Sequence, residues 1–342
     1  MLLPYNGCMG SPRVSVIMPC WNAARYLDEA MGSVLAQTFS EFEVVVVDDG
    51  SDDETPALLD AWAGRDSRVR VVRQEHQGLI VAPQRAVEES RGELLARMDS
   101  DDMMHPQRLE WQVEMMRGRP RLGMVGGLIE FFPREEIKPG MLRYERWLNS
   151  VVTHEEIVRD MFVEHPLAHP SVMMRRAAVL EVGGYREMGW PEDYDLCLRM
   201  YGAGWEFAKV REVIHRWRER PDRVTRARAR YAKTKFRACK VYFLKELHLR
   251  GRDMVQVWGA GKEGRALGKH LKRAGLTISR HIDIAPTKIG TRVLGAPVVG
   301  QEGLSREEYL LVAVGAKGAR EEIRGWLGER GWREPEDYRT MA

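Results

Sequence analysis

The sequence predicts an α/β fold with a doubly wound, mostly parallel sheet, followed by a second, smaller α/β domain. Short β-branched strands alternate with amphipathic helices at regular spacing from Val14 to Met98, which is typical of a sheet with helices on both faces. The alternation starts again at Met254, directly before a glycine-rich turn. A chain of 342 residues is also long enough for two domains.

Composition limits the classes of protein and of partner. The chain has 53 basic and 50 acidic residues and a net charge of +3, so its overall charge gives no reason to expect nucleic-acid binding. Apolar residues make up 44%, as in globular proteins, and no apolar run approaches the ~20 residues of a membrane span. The 4 cysteines lack metal-ligand spacing, and the first residues lack the segments of a signal peptide. We expect a soluble cytoplasmic protein with reduced thiols.

The first domain begins with two apolar runs that end in polar turns. The run from Val14 to Met18 is closed by Pro19, and the run from Phe42 to Val47 leads into Asp48 and Asp49. Further elements are expected as a helix from Thr55 to Trp62, a strand from Val69 to Val72, a helix from Leu79 to Glu89 and a strand from Gly92 to Met98. Because ligands of such sheets lie beyond the carboxyl ends of the strands, we expect these turns to share one site.

The strand that ends at Met98 leads into an acidic cluster. Asp99, Asp101 and Asp102 place three carboxylates within four positions. Like charges at contact range repel one another by roughly 1 kcal/mol per pair in water, so a bound cation is favourable. Carboxylate oxygens suit Mg²⁺ or Mn²⁺, which often share the site with substrate phosphates. The alternative is a solvated acidic turn before the next helix.

Six segments resemble, in order and spacing, the family 2 inverting glycosyltransferases of the GT-A fold. They are Val14 to Asn22, Gln37 to Glu43, Val47 to Ser51, Asp99 to Asp102, Gly183 to Glu187 and Pro191 to Leu196. The resemblance covers roughly residues 13 to 225. It implies a GT-A sheet, a nucleotide-sugar donor and a divalent metal. Pro191 to Asp193, Trp217-Arg218 and Val257 to Lys262 further resemble the proteins called β-1,3-N-acetylglucosaminyltransferase-like, which implies a UDP sugar such as UDP-GlcNAc.

The resemblance also implies which residues bind the donor. Pro19 and Trp21 would hold the nucleoside, and Asp49 would accept a hydrogen bond from the uracil edge. Asp99 and Asp101 form the Asp-x-Asp motif, with Asp101 as the more direct metal ligand. The other residues assigned to the nucleotide sugar are Asn22, Gln84, Ser100 and Arg220.

Two of these residues depart from the family's pattern. Gln84 stands where the family often has Asn, and Arg220 stands where it often has a His, two residues past Arg218. Arginine cannot ligate a metal, but its planar fork can bind a diphosphate directly. His215 lies nearby at a different point of the strand, so we do not transfer the ligand role to it.

The acceptor half of the site is expected around Asp193. In-line displacement at an anomeric carbon needs one base on the acceptor side and positive charge on the departing diphosphate. The resemblance gives the role of base to Asp193, at the start of a predicted helix; the alternative is an ordinary acidic helix cap. Glu192, Trp190 and His169 are placed on the acceptor side, although a lone histidine is more often structural.

We divide the chain into an N-terminal tail (1–12), a GT-A domain (13–222), a basic connecting helix (223–251) and a Rossmann-like accessory domain (252–342). In the connecting helix, basic residues recur at helical spacing: Arg223, Arg226, Arg230, Lys233 and Arg237. One interpretation is contact with phosphates, an acidic glycan or the inner membrane face, hence peripheral membrane association. The other is a solvated helix face.

In the C-terminal domain, Gly259, Gly261 and Gly264 precede Asp283 by ~20 residues, which is the fingerprint of a dinucleotide-binding turn. The alternative is an accessory domain that has the turn but no cofactor.

The leading hypothesis for the whole protein is a glycosyltransferase acting on a glycan, lipid-linked sugar or small molecule. The alternatives are an NAD(P)- or nucleotide-binding regulatory or redox protein, and hydrolysis of the nucleotide sugar. Homo-oligomerisation is left open.

Overall fold

The computed structural model describes residues 12–220 and 229–342. Within these ranges the chain forms two compact units. The first comprises residues 12–157, 167–188 and 192–220, and the second comprises residues 158–166, 189–191 and 229–342. Each unit is built around its own sheet. The predicted N-terminal tail, apart from its last residue, lies outside the described residues.

The first unit contains an eight-stranded sheet. Its strands are β1 (Val14–Cys20), β2 (Phe42–Asp49), β3 (Val69–Gln74), β4 (Leu94–Arg97), β5 (Met103–Met104), β6 (Leu122–Phe132), β7 (Met173–Arg175) and β8 (Glu206–Arg218). Their order is β3-β2-β1-β4-β7-β6-β8-β5. Strands β3, β2, β1 and β4 are parallel, as are β6 and β8, whereas β7 is antiparallel to β4 and β6, and β5 is antiparallel to β8. The predicted mostly parallel sheet is therefore present.

Helices α1 to α8 alternate with these strands. They are α1 (Ala24–Leu35), α2 (Thr55–Arg65), α3 (Val81–Glu89), α4 (Arg108–Met116), α5 (Pro139–Ser150), α6 (His154–Asp160), α7 (Arg176–Glu181) and α8 (Glu192–Gly202). In α1 the buried residues Leu27, Ala30, Met31 and Val34 recur at steps of three and four, which gives the helix one apolar face. All residues of β2 are buried, as expected of a parallel strand covered on both faces.

The strand register brings the polar turns to one edge of this sheet. Cys20 pairs with Asp48 in the parallel ladder of β1 and β2, and Ile17 pairs with Arg97 in that of β1 and β4. Since these strands run in one direction, their carboxyl ends open onto the same side. Strand β5 follows the acidic cluster directly and pairs Met104 with His215. This pairing brings the end of β8 to the same edge.

The second unit contains a six-stranded sheet. Its strands are β9 (Met254–Trp258), β10 (Thr277–Ile282), β11 (Arg292–Val293), β12 (Ala296–Val299), β13 (Tyr309–Val312) and β14 (Tyr338–Thr340), and its helices are α9 (Lys233–Leu244), α10 (Lys262–Arg273) and α11 (Ala319–Glu329). The order is β11-β12-β10-β9-β13-β14, and every pair is parallel except β11 with β12. Helix α10 links the parallel neighbours β9 and β10.

The basic connecting helix is partly described. Residues 221–228, which include Arg223 and Arg226, lie outside the described residues. Ala232 is extended (φ −64°, ψ 143°), so α9 begins at Lys233, and a π-helical turn, Lys245–Leu249, follows it. The guanidinium of Arg237 is 2.6 Å from the Glu263 carboxylate, so this basic residue is paired within the second unit. None of the described helices has both the length and the apolar character needed to cross a membrane.

Candidate active site

The acidic cluster lies just beyond β4, and oxygens of its three carboxylates lie within 4.8 Å of one another. Asp102 is buried, and one of its oxygens is 2.9 Å from Nε2 of His215 while the other accepts a 2.8 Å hydrogen bond from the Arg218 amide. His215 is fully buried. His215 and Arg218 both belong to β8, so Asp102 connects the end of β8 to the acidic cluster. Asp99 and Asp101 are partly exposed, with 34% and 17% of their side-chain surface accessible.

Arg97, the last residue of β4, is the buried counter-charge of this cluster. Its guanidinium donates a 2.6 Å hydrogen bond to Oδ1 of Asp99. Burial by itself raises the pKa of Asp99, but the opposing charge and hydrogen bond of Arg97 outweigh burial, and the net pKa lies below its usual value. Asp99 is therefore an ionised carboxylate at neutral pH.

Two further arginines flank Asp101. Nε of Arg220 lies 3.0 Å from Oδ2 of Asp101, and Nε of Arg218 donates a 2.7 Å hydrogen bond to the Asp101 carbonyl. Both guanidinium groups lie over the ring of Tyr26, at 5.8 Å and 4.5 Å respectively. Arg218 also pairs with Glu29. The end of β8 therefore places positive charge directly beside the candidate metal-binding carboxylates.

The donor set of the cluster fits a hard divalent cation. Carboxylate oxygens are the ligands that Mg²⁺ and Mn²⁺ prefer. Asp102 is buried and engages both oxygens within the chain, whereas Asp99 and Asp101 are partly exposed, so Asp101 and Asp99 would hold the ion. Arg220, which replaces the histidine that the resemblance leads one to expect, contributes charge but no metal-binding lone pair.

The nucleoside half of the predicted site is built around Asp49. Its buried carboxylate accepts hydrogen bonds from the amides of Gln77 (2.9 Å) and Gly78 (2.7 Å) and from the Gln74 side chain (2.7 Å). It also lies 3.0 Å from Nδ1 of His76. The ring of Trp21 lies against that of His76, with centroids 4.5 Å apart, and 49% of Trp21 is exposed. Asp49 thus holds His76 in place, and the partly exposed ring of Trp21 packs against His76.

Three other residues assigned to the nucleotide lie in or beside the strand-end turns. Asn22 is in the left-handed region at φ 50°; its Nδ2 donates a 2.6 Å hydrogen bond to Oδ1 of Asp52, and its Oδ1 accepts a 3.0 Å hydrogen bond from the Asp52 amide. Burial raises the thiol pKa of Cys20 to about 12, and the side chain of Ser100 opposes this rise. Pro19 is half-buried within β1. These contacts position the turns and do not by themselves define a ligand.

One residue of the predicted acceptor side, His169, contacts Tyr185, which sequence reasoning did not assign. Its hydroxyl is 2.8 Å from Nε2 of His169, and the residue is buried. Burial is the first cause that raises the pKa of Tyr185, the charge of Arg97 opposes it, and the charges of Glu192, Asp193 and Asp99 raise it further. The charges of Asp99 and of the predicted base, Asp193, therefore both affect the pKa of Tyr185.

Asp193 lies in the first turn of α8, where Oδ1 accepts a 2.8 Å hydrogen bond from the Tyr194 amide. Gln84 contacts this region through Oε1, which accepts a 2.9 Å hydrogen bond from the Tyr185 amide. Trp190 belongs to the second unit, where its ring is tilted against that of Tyr242 with centroids 5.4 Å apart.

The predicted C-terminal nucleotide residues meet at a cleft of the second unit. Gly259, Gly261 and Asp283 line it, and Asp283 accepts a 3.0 Å hydrogen bond from the Ala260 amide. Gly264 lies behind the turn, where a Cβ atom would come within 1.9 Å of the Gly259 carbonyl oxygen.

Sequence reasoning missed several residues that shape the first site: Arg97, Tyr185, Arg218 and His76. The position of Arg97 directly before the acidic cluster could have identified it. Tyr185 stands in a segment that carries the family resemblance. Nothing in the local pattern marks His76, because its role depends on the fold of the loop after β3.

Comparison with known proteins identifies similar glycosyltransferases. The chain matches the model of glycosyl transferase family 2 over residues 15–183. The O-antigen biosynthesis glycosyltransferase WbnJ of Escherichia coli is 32% identical over 188 residues, which are 55% of this chain and 71% of WbnJ.

Two solved structures share the fold. S. aureus TarS 1–349, solved with UDP-GlcNAc, gives a TM-score of 0.54 at 17% identity over 76% of this chain and 72% of that chain. The mannosyltransferase PcManGT of Pyrobaculum calidifontis, solved with GDP-Man and Mn²⁺, gives a TM-score of 0.50 at 18% identity over 78% of this chain and 70% of that chain. The shared fold confirms the GT-A sheet that the sequence predicts. By the likeness to the family model and to WbnJ, the chain belongs to family 2 of the glycosyltransferases.

Proposed function

We propose that the protein transfers a sugar from a nucleotide sugar to a hydroxyl group of a glycan or lipid-linked acceptor, with inversion at the anomeric carbon. One observation carries the proposal. The ionised Asp99 and its neighbour Asp101 lie beside arginines at the sheet edge, and the charges of Asp99 and Asp193 both raise the pKa of the buried Tyr185. This supports a site in which carboxylates that suit a cation and a carboxylate that can take a proton lie near one buried residue.

A UDP sugar is the first donor to consider. TarS was solved with UDP-GlcNAc and PcManGT with GDP-Man, which are both nucleoside diphosphate sugars. The exposed face of Trp21 suits stacking of a base. A carboxylate offers about four acceptor positions, and four groups of the chain contact Asp49. A uracil N–H would therefore replace one of them, and the flexible side chain of Gln74 is the contact most easily exchanged.

The diphosphate would lie between the acidic cluster and the end of β8. Asp101, with Asp99, would hold Mg²⁺ or Mn²⁺, and when bound the ion supplies positive charge to the departing diphosphate. Arg220, 3.0 Å from Asp101, adds a guanidinium whose fork matches phosphate oxygens. Asp102 would remain with His215 and keep the loop in place.

Asp193 would act as the base on the acceptor. A lone pair of the acceptor oxygen forms the new bond to the anomeric carbon, on the face opposite the leaving group. The anomeric C–O bond breaks, its electron pair leaves with the diphosphate, and the hydroxyl proton passes to Asp193. A single displacement of this kind uses no covalent nucleophile and inverts the anomeric configuration. Tyr185 stays protonated throughout, because burial raises its pKa.

The acceptor class follows from the relatives. WbnJ is named for O-antigen biosynthesis, which favours a growing glycan over a small molecule for this chain too. His169 and Glu192 would lie on the acceptor side, since His169 contacts the Tyr185 hydroxyl at 2.8 Å and the charge of Glu192 raises the pKa of Tyr185, as the charge of Asp193 does.

A donor screen tests the proposal. The full chain is incubated with UDP-glucose, UDP-galactose, UDP-GlcNAc and GDP-mannose, with Mn²⁺ or with EDTA, in the presence of lipid-linked and free oligosaccharide acceptors. We expect one donor to release its nucleoside diphosphate in a metal-dependent way, with NMR showing an inverted anomeric centre in the product.

The matched variants are Asp193→Asn and, as a control, Glu212→Gln at an exposed position of β8. Loss of a positioned base lowers kcat by about 10²–10⁴-fold, whereas the control should match the wild type. Binding of UDP with Mn²⁺ should remain within a few-fold in Asp193→Asn. Equal turnover by Asp193→Asn and wild type would remove Asp193 from this role, and a retained anomeric configuration would rule out the single displacement.

A further inference from the structure

The second unit contains a cleft of about 750 Å³ at the carboxyl ends of its central parallel strands. It is lined by the turn after β9, by Asp283 after β10 and by Val314 to Lys317 after β13. Cavities of this volume are typical of small-molecule and cofactor sites. In open parallel sheets, ligands bind in this position relative to the strands. The proposed glycosyl transfer uses none of these residues.

Of the three glycines in the turn after β9, two are required by the fold and the third, Gly261, is not. Gly259 has φ +127°, and a Cβ there would lie 2.5 Å from the Ala313 carbonyl oxygen. A Cβ at Gly264 would lie 1.9 Å from the Gly259 oxygen. The fold therefore requires both as glycine. Gly261 has an ordinary extended backbone (φ −87°, ψ −160°), and its Cβ would meet only Nζ of Lys288, at 3.9 Å.

Gly261 thus leaves open space at the cleft that the protein itself does not fill. It is the N-cap residue of α10, a helix of 12 residues, and within the described part of the chain no side chain caps that helix. The first amides of a helix and its dipole favour a bound anion. A side chain at position 261 would occupy the space through which a phosphate reaches those amides.

Two acidic residues at the cleft, Asp283 and Glu263, are paired with basic residues of the second unit. Asp283 accepts hydrogen bonds from the Ala260 and Ala285 amides and is 2.9 Å from Nζ of Lys288, so its negative charge is compensated. Burial tends to raise the pKa of Asp283, but these hydrogen bonds lower it below its usual value. Glu263 is likewise paired, with Arg237. Lys262 and Lys317 line the cleft in addition.

The other wall of the cleft is apolar. Ile284 lies there with 70% of its surface exposed, an unusual degree for a large aliphatic residue, and Val314, Ile323 and Trp326 line the same cavity. A planar base or a ribose can pack against such a wall. An anion site and an apolar wall in one cleft match the two halves of a nucleotide.

We propose that this cleft binds a nucleotide that carries a diphosphate. The diphosphate lies on the turn from Gly261 to Glu263, and the base lies against the apolar wall. A nucleotide sugar and a dinucleotide both have this chemistry. The site is separate from the donor site of the first unit, so the protein has two nucleotide sites.

Calorimetry with the full chain tests this. The Asp101→Ala variant is titrated in EDTA, so that metal-dependent binding in the first unit does not contribute. The probes are UDP, UDP-GlcNAc, GDP-mannose, ADP, NAD⁺ and NADP⁺. We expect at least one probe to bind at one site per chain, and its identity separates a nucleotide-sugar site from a dinucleotide site.

The decisive variant adds Gly261→Asp to the same background, with Gly328→Asp as its matched control. Aspartate is a favoured N-cap residue, so Gly261→Asp should keep or raise Tm, while its carboxylate takes the place of the phosphate. Gly328 is exposed in α11, where a Cβ would meet nothing within 4 Å. We expect at least a tenfold loss of affinity in Gly261→Asp and none in Gly328→Asp. Binding of no probe, or equal affinity in the two variants, would overturn the proposal.

Discussion

Replacing Asp102 by alanine should destabilise the first unit, whereas replacing its neighbour Asp101 by asparagine should mainly weaken metal binding. The two carboxylates belong to one cluster but have different partners. Asp102 is buried and engages His215 and the Arg218 amide, while Asp101 is partly exposed and lies beside Arg220. The pair of variants therefore separates a framework carboxylate from a ligand carboxylate.

The size of the stability effect follows from these contacts. Hydrogen bonds to a charged group contribute about 1.5–3 kcal/mol each, and truncating one partner of a buried pair costs roughly 3–5 kcal/mol. For a unit of this size, each kcal/mol shifts Tm by about 2–4 °C. Asp102→Ala should therefore lower the Tm of the first unit by roughly 6–20 °C. The partly exposed pair of Asp101 with Arg220 is worth at most about 1 kcal/mol, so Asp101→Asn should shift Tm by only a few degrees.

Differential scanning calorimetry in EDTA gives the two Tm values, and titration with UDP and Mn²⁺ gives the affinities. We expect at least a tenfold weaker affinity in Asp101→Asn with little change in Tm. We expect a large drop in Tm for Asp102→Ala. If Asp102→Ala kept its Tm within 2 °C while losing as much Mn²⁺ affinity as Asp101→Asn, Asp102 would be a ligand and the assignment of roles would be wrong.

Three further predictions concern other parts of the first unit. Trp21→Ala should weaken UDP binding by about 5- to 150-fold, since stacking of a base is worth about 1–3 kcal/mol; unchanged calorimetric affinity would contradict a stacking role. Tyr185→Phe should lower the free energy of unfolding by about 1–3 kcal/mol in urea titrations, because it breaks a buried contact with His169; an unaltered midpoint would show that the contact contributes nothing. Burial lowers the pKa of Lys209 to about 7, below its ordinary value, so the unfolded chain holds a proton that the folded chain releases above pH 7, and stability should rise with pH from 7 to 10. Lys209→Met should flatten this rise in calorimetry, and an equal slope in the variant would count against the assignment.

The sequence was sufficient for the parts of the fold that depend on local patterns. The apolar, β-branched run of β2 predicts a buried strand, and the alternating pattern predicts amphipathic helices; β2 is buried throughout and α1 has one apolar face. The rule that ligands lie at carboxyl ends of strands was enough to expect the turns after β1, β2 and β4 at one edge, and the parallel register places them there. These elements follow from periodicity and strand order alone.

The partners of the charged groups could not be predicted in the same way. Asp99, Asp101 and Asp102 have nearly the same sequence environment, and what distinguishes them is a residue elsewhere in the chain. His215 and Arg220 lie more than 100 residues away and reach the cluster only through the pairing of β5 with β8. Similarly, the groups that contact Asp49 come from the end of β3 and from the loop that follows it. No local periodicity in the sequence specifies the conformation of that loop.

The proposed metal-binding carboxylates and the charged residues around them come from different parts of the chain, so they can vary independently. The acidic cluster supplies the oxygens, but the residues that set the charge around them come from β4 and from the end of β8. A substitution at position 220 would therefore change how much positive charge the proposed diphosphate meets, while the buried pair of Asp102 with His215 preserves the shape of the loop. Arg220 in place of a histidine is such a change, because it exchanges a potential metal ligand for a fixed positive charge. Arg220→His should consequently make donor binding depend more strongly on Mn²⁺, measured as the ratio of UDP affinities with Mn²⁺ and with EDTA. An unchanged ratio would mean that the residue at position 220 does not reach the diphosphate.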